Sequence, residues 1–144
     1  MSKIDSTSPS NKFCTLTRDP TRVQTSLITQ LRTGHILLNK HLYCIKKSSS
    51  LTCSSCQQSE ESVHHFLYEC RAYCHARVKM LRKLGHKASS TRHLLSTEGG
   101  IQEVLKYAAE TERLRSIFGD VPQPLLLDTL LRTSFADQYQ SQQE

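Results

Sequence analysis

The stretch from Cys53 to Cys70 constrains this chain more than any other, because it spaces three cysteines and a histidine as C-x2-C-x8-H-x4-C. A Cys-x-x-Cys turn points two sulfurs at one ion, and a structural zinc site takes four nitrogen or sulfur ligands in a tetrahedron. The spacing therefore predicts one structural Zn²⁺, bound by Cys53, Cys56, His65 and Cys70. Four protein ligands leave no position for water, which favours a structural centre over a catalytic one.

Two alternatives to this ligand set remain open at the level of sequence. His64 competes with its neighbour His65, although the H-x4-C spacing also ends the retroviral zinc knuckles and favours His65. An all-sulfur set would instead use Cys74, which lies one helical turn beyond Cys70. If it is not a ligand, Cys74 is expected to be a small buried hydrophobic residue. Cys44 has no partner at ligand spacing.

The composition limits the fold and the location. A chain of 144 residues with 37% hydrophobic residues and no Trp can form one small domain with a thin core, which a metal ion would reinforce. No apolar signal segment or membrane span is visible, so we expect a soluble, intracellular protein, nuclear or cytoplasmic, that does not bind membranes. In a reducing compartment, six cysteines indicate metal binding rather than disulfides.

Hydrophobic periodicity predicts an all-α fold of about five short helices around the CCHC turn. Residues 1–17 are polar and are expected to form a disordered lead, 18–119 the helical zinc-knuckle domain, and 120–144 a loose Pro-, Leu- and Gln-rich tail. Glu60 and Glu61 are interpreted as acids at a helix start, where the helix dipole favours them.

The five predicted helices follow from caps and apolar spacing. The first starts with Asp19 as N-cap and Pro20 as first residue, and ends near Arg32 before Gly34. The second is a short stripe from Ile36 to Ile45. The other three are a short helix carrying His65, a basic helix over 72–84 that Gly85 ends, and a helix over 101–118 that Gly119 ends. Residues 85–100 are expected to connect the last two helices. The positions expected to be buried are Tyr73, Ala76, Met80 and Leu84 in the basic helix, and Val104, Leu105, Ala108, Leu114 and Ile117 in the last one.

The net charge of +6 is concentrated on both sides of the cysteine motif. Residues 12–47 carry seven Lys or Arg against one acid, and residues 71–95 carry seven against none. Such faces are often merely solvated, but they also favour a polyanionic partner. The residues predicted to contact nucleic-acid phosphates are Arg71, Arg77, Lys79, Arg82 and Lys83, with Arg32, Lys40, Lys46 and Lys47 as a second patch.

Several motifs in a fixed order carry a family resemblance. They are LRTGHILLNKHLYCI, CSSCQQSEESVHHFLYEC, HLLS and VLKYAAETERL, and together they extend over roughly residues 16–118. In order and spacing they resemble the C-terminal CCHC tail of fungal non-LTR retrotransposon polyproteins, which follows the reverse transcriptase and RNase H domains. The resemblance places the family's zinc ligands on Cys53, Cys56, His65 and Cys70.

The chain also departs from that family. His64 stands where the family usually has an acid, and Ser54 and Arg71 stand where it commonly has prolines. None of these departures removes a ligand. A reverse transcriptase or RNase H domain would need well over 100 residues of its own, and only about 20 weakly structured residues precede the tail. The resemblance therefore implies a fragment without the catalytic domains, which is not an enzyme.

The sequence thus predicts a non-catalytic, zinc-stabilised module that binds RNA or DNA through the phosphate backbone, without base specificity and without a small-molecule substrate. One alternative is a structural or protein-interaction module in which zinc only holds the helices together. Another is a degenerate retroelement remnant without selected activity.

Overall fold

Helices make up the architecture of residues 21–121, which are the residues that the computed structural model describes. The prediction of an all-α fold is confirmed, since extended backbone pairs within this range only at an isolated antiparallel bridge between Thr52 and Glu60. The α-helices are α1 Arg22–Thr33, α2 Asn39–Cys44, α3 Cys74–Leu84, α4 Thr91–Ser96, α5 Glu98–Thr111 and α6 Arg115–Phe118.

Three further turns connect these helices. One is a π-helical turn over His65–Glu69, and the other two are 3₁₀ turns over Arg71–Tyr73 and Gly85–Ser89. The lead predicted for residues 1–17 and the tail beyond residue 121 lie outside the described residues.

Helix α1 begins at Arg22 under a capping box. The Thr21 hydroxyl accepts a hydrogen bond from the Gln24 backbone N–H, and the Gln24 side chain accepts one from the Thr21 N–H. This box satisfies two backbone donors at once, so the helix starts later than the predicted start at residues 19–20, which lie outside the described part of the chain. Gly34 ends α1 in the left-handed conformation with φ of 73°, as predicted.

The stripe predicted from Ile36 to Ile45 is wrong as a single helix. Ile36 and Leu38 are buried, but both precede α2, and no residue of α2 itself is buried. The Leu38 N–H donates to the Ile36 carbonyl at 2.7 Å, so a tight turn places both side chains before α2 begins. Ile45 follows α2 and is 45% exposed, so the turn before α2 provides the core contacts.

Helix α3 follows the prediction in its apolar face and in its end. Ala76 and Met80 are buried, and so is Tyr73 in the 3₁₀ turn just before the helix. Leu84 is half-buried, and Gly85 follows it at the end of the helix. The expectation that Cys74 is buried is wrong, because Cys74 starts α3 on the exposed side.

The predicted helix over 101–118 is divided in two. Glu112 takes the left-handed conformation with φ of 53°, which ends α5 at Thr111, and α6 then begins at Arg115. Four of the predicted core positions are nevertheless buried and Ile117 is half-buried; the four are Val104, Leu105, Ala108 and Leu114. An isolated left-handed residue ends a helix whatever its apolar periodicity, so the periodic pattern continues past the break.

The region predicted as a connection, residues 85–100, contains α4 and the first turn of α5. Thr97 caps α5 by accepting from the Gly100 N–H. A Cβ at Gly100 would lie 2.5 Å from the His93 carbonyl oxygen, so only glycine permits the close approach of α4 and α5. Within residues 21–121 no helix is both long and apolar enough to cross a lipid bilayer.

The core lies where α3, α4 and α5 pack together. It includes Leu94, Leu95 and Tyr107 from the helices, and it also takes in Phe66 and Leu67 from the π-helical turn. The rings of Phe66 and Tyr107 meet edge to face with centroids 5.2 Å apart. The second half of the cysteine and histidine motif is therefore part of the core.

Candidate metal centre

The Cys-x-x-Cys turn is formed by local backbone hydrogen bonds. The Gln57 N–H donates to the Cys53 carbonyl at 2.9 Å, and the Cys53 N–H donates to the Ser59 carbonyl at 2.8 Å. Gln57 adopts a left-handed φ of 55°, which turns the chain back after Cys56. The antiparallel bridge described above closes the loop at its base. This turn presents the Cys53 and Cys56 sulfurs to one point.

His65 and Cys70 reach the same point through the π-helical turn. The Cys70 N–H donates to the His65 carbonyl at 2.9 Å, which is the i to i+5 bond of a π-helix. In an α-helix, residues five apart would point about 140° away from each other. The wider turn reduces this angle, so both side chains face inward. The short helix predicted around His65 is thus π-helical.

The four predicted ligand residues converge. Their ligand atoms all lie within 4.8 Å of one another, with 3.8 Å between the Cys53 and Cys70 sulfurs and 3.3 Å between the Cys56 sulfur and the His65 Nε2. Cys53, His65 and Cys70 are buried, and Cys56 is half-buried. This cluster can hold one metal ion.

The rival ligands lie outside the cluster. The His64 side chain is 67% exposed, and its Nδ1 lies 3.2 Å from a Glu69 oxygen instead of facing the sulfurs. Cys74 is exposed because the 3₁₀ turn after Cys70 carries it away, and Cys44 is also exposed. Within residues 21–121 no other group of three potential ligands gathers.

The thiols of the cluster differ in their electrostatic environment. A hydrogen bond from the Gln58 backbone, with smaller contributions from neighbouring side chains, lowers the pKa of Cys56 to about 7. Burial raises the pKa of Cys70 to about 12. Without a cation the Cys70 thiol therefore keeps its proton at neutral pH, whereas a bound cation would stabilise the thiolate.

The second ring nitrogen of His65 lies near an acid. Its Nδ1 is buried without a hydrogen-bond partner, and the Glu69 Oε2 is 3.5 Å away, too poorly aligned for a hydrogen bond. Histidines that bind metals through Nε2 commonly donate from Nδ1 to a carboxylate. Glu69 is placed to take that role after a small side-chain movement.

A buried ion pair adjoins the cluster, and sequence reasoning missed it. Glu61 is interpreted from the sequence only as an acid at a helix start, but it is fully buried and pairs with a distant arginine. Its carboxylate accepts from Arg113 Nε at 2.7 Å, from Arg113 Nη2 at 2.6 Å and from the Asn39 backbone N–H at 2.8 Å. No local signal marks the pair, because the partners are 52 residues apart.

Two side chains hold the π-helical turn from the core side. Arg77 donates from Nε to the Leu67 carbonyl at 2.9 Å and from Nη2 to the Cys70 carbonyl at 2.7 Å. The Tyr107 hydroxyl donates to the Phe66 carbonyl. Arg77, predicted to contact phosphates, is therefore half-buried and bound to the backbone of the metal site.

The other predicted phosphate contacts fall into two groups. Arg32 donates to the Leu95 carbonyl at 3.0 Å, and Lys40 and Lys79 form ion pairs with Glu60 and Glu110 at 2.7 and 2.6 Å. The remaining residues are exposed and have no ion pair within residues 21–121; they are Arg71, Arg82, Lys83, Lys46 and Lys47.

The outward face of α3 is mixed in character. Arg82 and Lys83 are exposed there, but so are Val78 and Leu81, at 38% and 39% of their surface. The basic face predicted for this helix is therefore interrupted by apolar side chains.

No family model, curated protein or solved structure matches the chain.

Proposed function

We propose that Cys53, Cys56, His65 and Cys70 bind one structural Zn²⁺ that stabilises the helical module. The sulfur separation of 3.8 Å carries the proposal, because two sulfurs about 2.3 Å from a tetrahedral zinc are themselves about 3.8 Å apart. Three sulfurs and one imidazole form a common structural zinc set with no open position. The module is accordingly proposed to be non-catalytic.

The metal content of the purified protein tests this proposal. We expect one zinc per chain, and loss of helicity when a chelator removes it, because zinc binding supplies folding free energy. Cys70→Ser should abolish stoichiometric zinc binding. Cys44→Ser is the matched control, since Cys44 is an exposed cysteine outside the cluster. A protein that is fully folded without metal would contradict the proposal.

We also propose that the module binds RNA or DNA through phosphates. The support is the net charge of +6 together with the exposed residues Arg71, Arg82, Lys83, Lys46 and Lys47. The sequence resemblance to retrotransposon tails is a second, independent support, and descent from such an element is part of the proposal. Arg32 and Arg77 are left out because they hold the fold together.

Binding measured across salt concentrations tests the second proposal. Each phosphate contact on duplex DNA contributes a slope of about 0.9 in the logarithm of affinity against the logarithm of salt. The double change Arg82→Gln with Lys83→Gln should lower the affinity. It should also reduce the slope by the contribution of two phosphate contacts. Lys40→Gln with Lys106→Gln is the matched control, because both lysines are ion-paired. Failure to bind any RNA or DNA oligonucleotide at low salt would contradict the proposal.

A protein-interaction module is the second candidate, and the exposed Val78 and Leu81 favour it. Apolar side chains on an outward helix face suit a protein partner better than a phosphate backbone. Such binding should depend little on salt and should be lost in Val78→Ser with Leu81→Ser, while the change of Arg82 and Lys83 leaves it intact.

A further inference from the structure

The Glu61 carboxylate lies directly against one of the metal-binding thiols. Its Oε1 is 3.7 Å from the Cys53 sulfur, and Glu61 and Cys53 are 0% and 1% exposed. The Cys53 thiol donates a hydrogen bond to this oxygen. When a cysteine binds a cation as a thiolate, that bond is replaced by two like charges in a buried site. Two like charges at this distance oppose each other strongly when they are buried.

Arg113 is placed to remove this conflict. Its guanidinium forms two parallel hydrogen bonds to Glu61, and its side chain is only 16% exposed. Such a forked pair fixes the carboxylate and cancels its charge. The hydrogen bond to Glu61 is the main cause that raises the pKa of Arg113, so the guanidinium keeps its positive charge.

We propose that Arg113 is a positioning residue of the metal centre, which fixes and neutralises the buried Glu61 carboxylate that lies against the ligand sulfur of Cys53. The inference rests on the proposed zinc site and adds a residue from far outside the C-x2-C-x8-H-x4-C motif. Groups behind the ligands of a metal site typically change metal affinity about 10- to 100-fold when they are removed.

The break between α5 and α6 gives Arg113 its place. The left-handed Glu112 ends α5, and Arg113 follows it. A continuous helix from α5 into α6 would direct this side chain differently. The Glu61 carboxylate also accepts a hydrogen bond from the backbone N–H of Asn39, the first residue of α2. The metal loop, the start of α2 and the α5–α6 junction therefore meet at Glu61.

The test is a titration of the metal-free full chain with Co²⁺, followed by competition with Zn²⁺ and a chelator. Co²⁺ reports its thiolate ligands through visible absorption. Arg113→Met should weaken metal binding about 10- to 100-fold. Arg115→Met is the matched control, because Arg115 is exposed and pairs with Glu112 and Asp120 away from the cluster; its affinity should equal that of the unchanged protein.

A double variant separates the proposed role from a general structural one. In Glu61→Gln with Arg113→Met the buried carboxylate is gone, so metal affinity should return to within a few-fold of the unchanged protein. This variant also tests the proposal if Arg113→Met alone does not fold, because a neutral amide in place of the carboxylate needs no counter-charge.

The outcomes are distinct. Equal affinities in Arg113→Met and Arg115→Met would overturn the role of Arg113, and so would a double variant that binds as weakly as the single one. In both cases the zinc proposal would stand, since the unchanged protein would still bind one ion. Absence of Co²⁺ and Zn²⁺ binding by the unchanged protein would overturn the zinc proposal and this inference together.

Discussion

The turn that supplies Cys53 and Cys56 is held mainly by its own backbone, whereas the turn that supplies His65 and Cys70 is held by the helices around it. None of residues 54–60 is buried, and the backbone hydrogen bonds of that loop join near neighbours. Its hydrogen bonds to other segments come from side chains, between Ser55 and Tyr73 and between Lys40 and Glu60. Residues 65–67 are all buried, and Arg77 and Tyr107 bind their backbone or that of the residues beside them.

We call the turn with Cys53 and Cys56 the first half of the site and the turn with His65 and Cys70 the second half. The difference between them indicates how each half depends on a metal ion. The second half keeps most of its packing contacts without the ion, because Phe66 and Leu67 belong to the helical core. The first half buries only the Cys53 side chain and has little apolar contact to replace the ion. We therefore expect the second half to be preformed and the first half to order on metal binding.

Metal removal should have the largest effect and should act unequally on the two halves. Structural zinc sites contribute an apparent 10–16 kcal/mol or so at neutral pH. After chelation, hydrogen exchange should become fast at the Cys53 and Gln57 amides, while the Cys70 amide keeps part of its protection. Equal loss at all three amides would show that the second half is not preformed.

Phe66→Ala should have the next largest effect, through the second half alone. Phe66 is fully buried against the rings of Tyr73 and Tyr107. Truncation of such a ring costs about 3–5 kcal/mol of unfolding free energy, which urea denaturation of the zinc-loaded protein would measure. Tyr43→Ala, at an aromatic residue that is 47% exposed, should cost less than about 0.5 kcal/mol. A small loss in Phe66→Ala would mean that the ion rather than the core holds this turn.

Tyr107→Phe isolates one hydrogen bond of the second half. The change leaves the Phe66 carbonyl without the Tyr107 hydroxyl and should cost about 1–3 kcal/mol. Tyr43→Phe is the control, because its hydroxyl belongs to an exposed side chain. The measurement is again urea unfolding, with zinc content determined on the same samples. Equal stability of the two variants would show that this hydrogen bond does not stabilise the second half.

Gln57→Gly should have the smallest effect and concerns only the first half. Gln57 has a left-handed φ of 55°, which costs a non-glycine residue about 1–2 kcal/mol. Glycine relieves this strain but loses more backbone freedom on folding, by about 0.5–1 kcal/mol. We expect a net stabilisation below about 1 kcal/mol with unchanged zinc content, whereas Gln57→Ala should bring no gain. A marked loss of zinc in Gln57→Gly would show that the side chain itself supports the turn.

Local patterns predicted what local geometry controls. The Cys-x-x-Cys spacing, the apolar face of α3 and the glycines that end α1 and α3 were all found as expected, because each depends on residues within a turn or two. The break at Glu112 was missed because the apolar positions on both sides continue one helical period, which carries no sign of a single left-handed residue.

The sequence by itself determined the helical class of residues 21–121 and three of the residues that can hold a metal ion, Cys53, Cys56 and Cys70, since periodicity and ligand spacing are properties of the chain alone. Only the tertiary structure decided which way His64 and His65 face, because that depends on a π-helical turn held by α3 and α5. It also decided that Glu61 is buried against Arg113, and that Arg77 supports the metal site instead of facing solvent. The charge of these residues can be read from the sequence, but their partners lie on distant segments that only folding brings together.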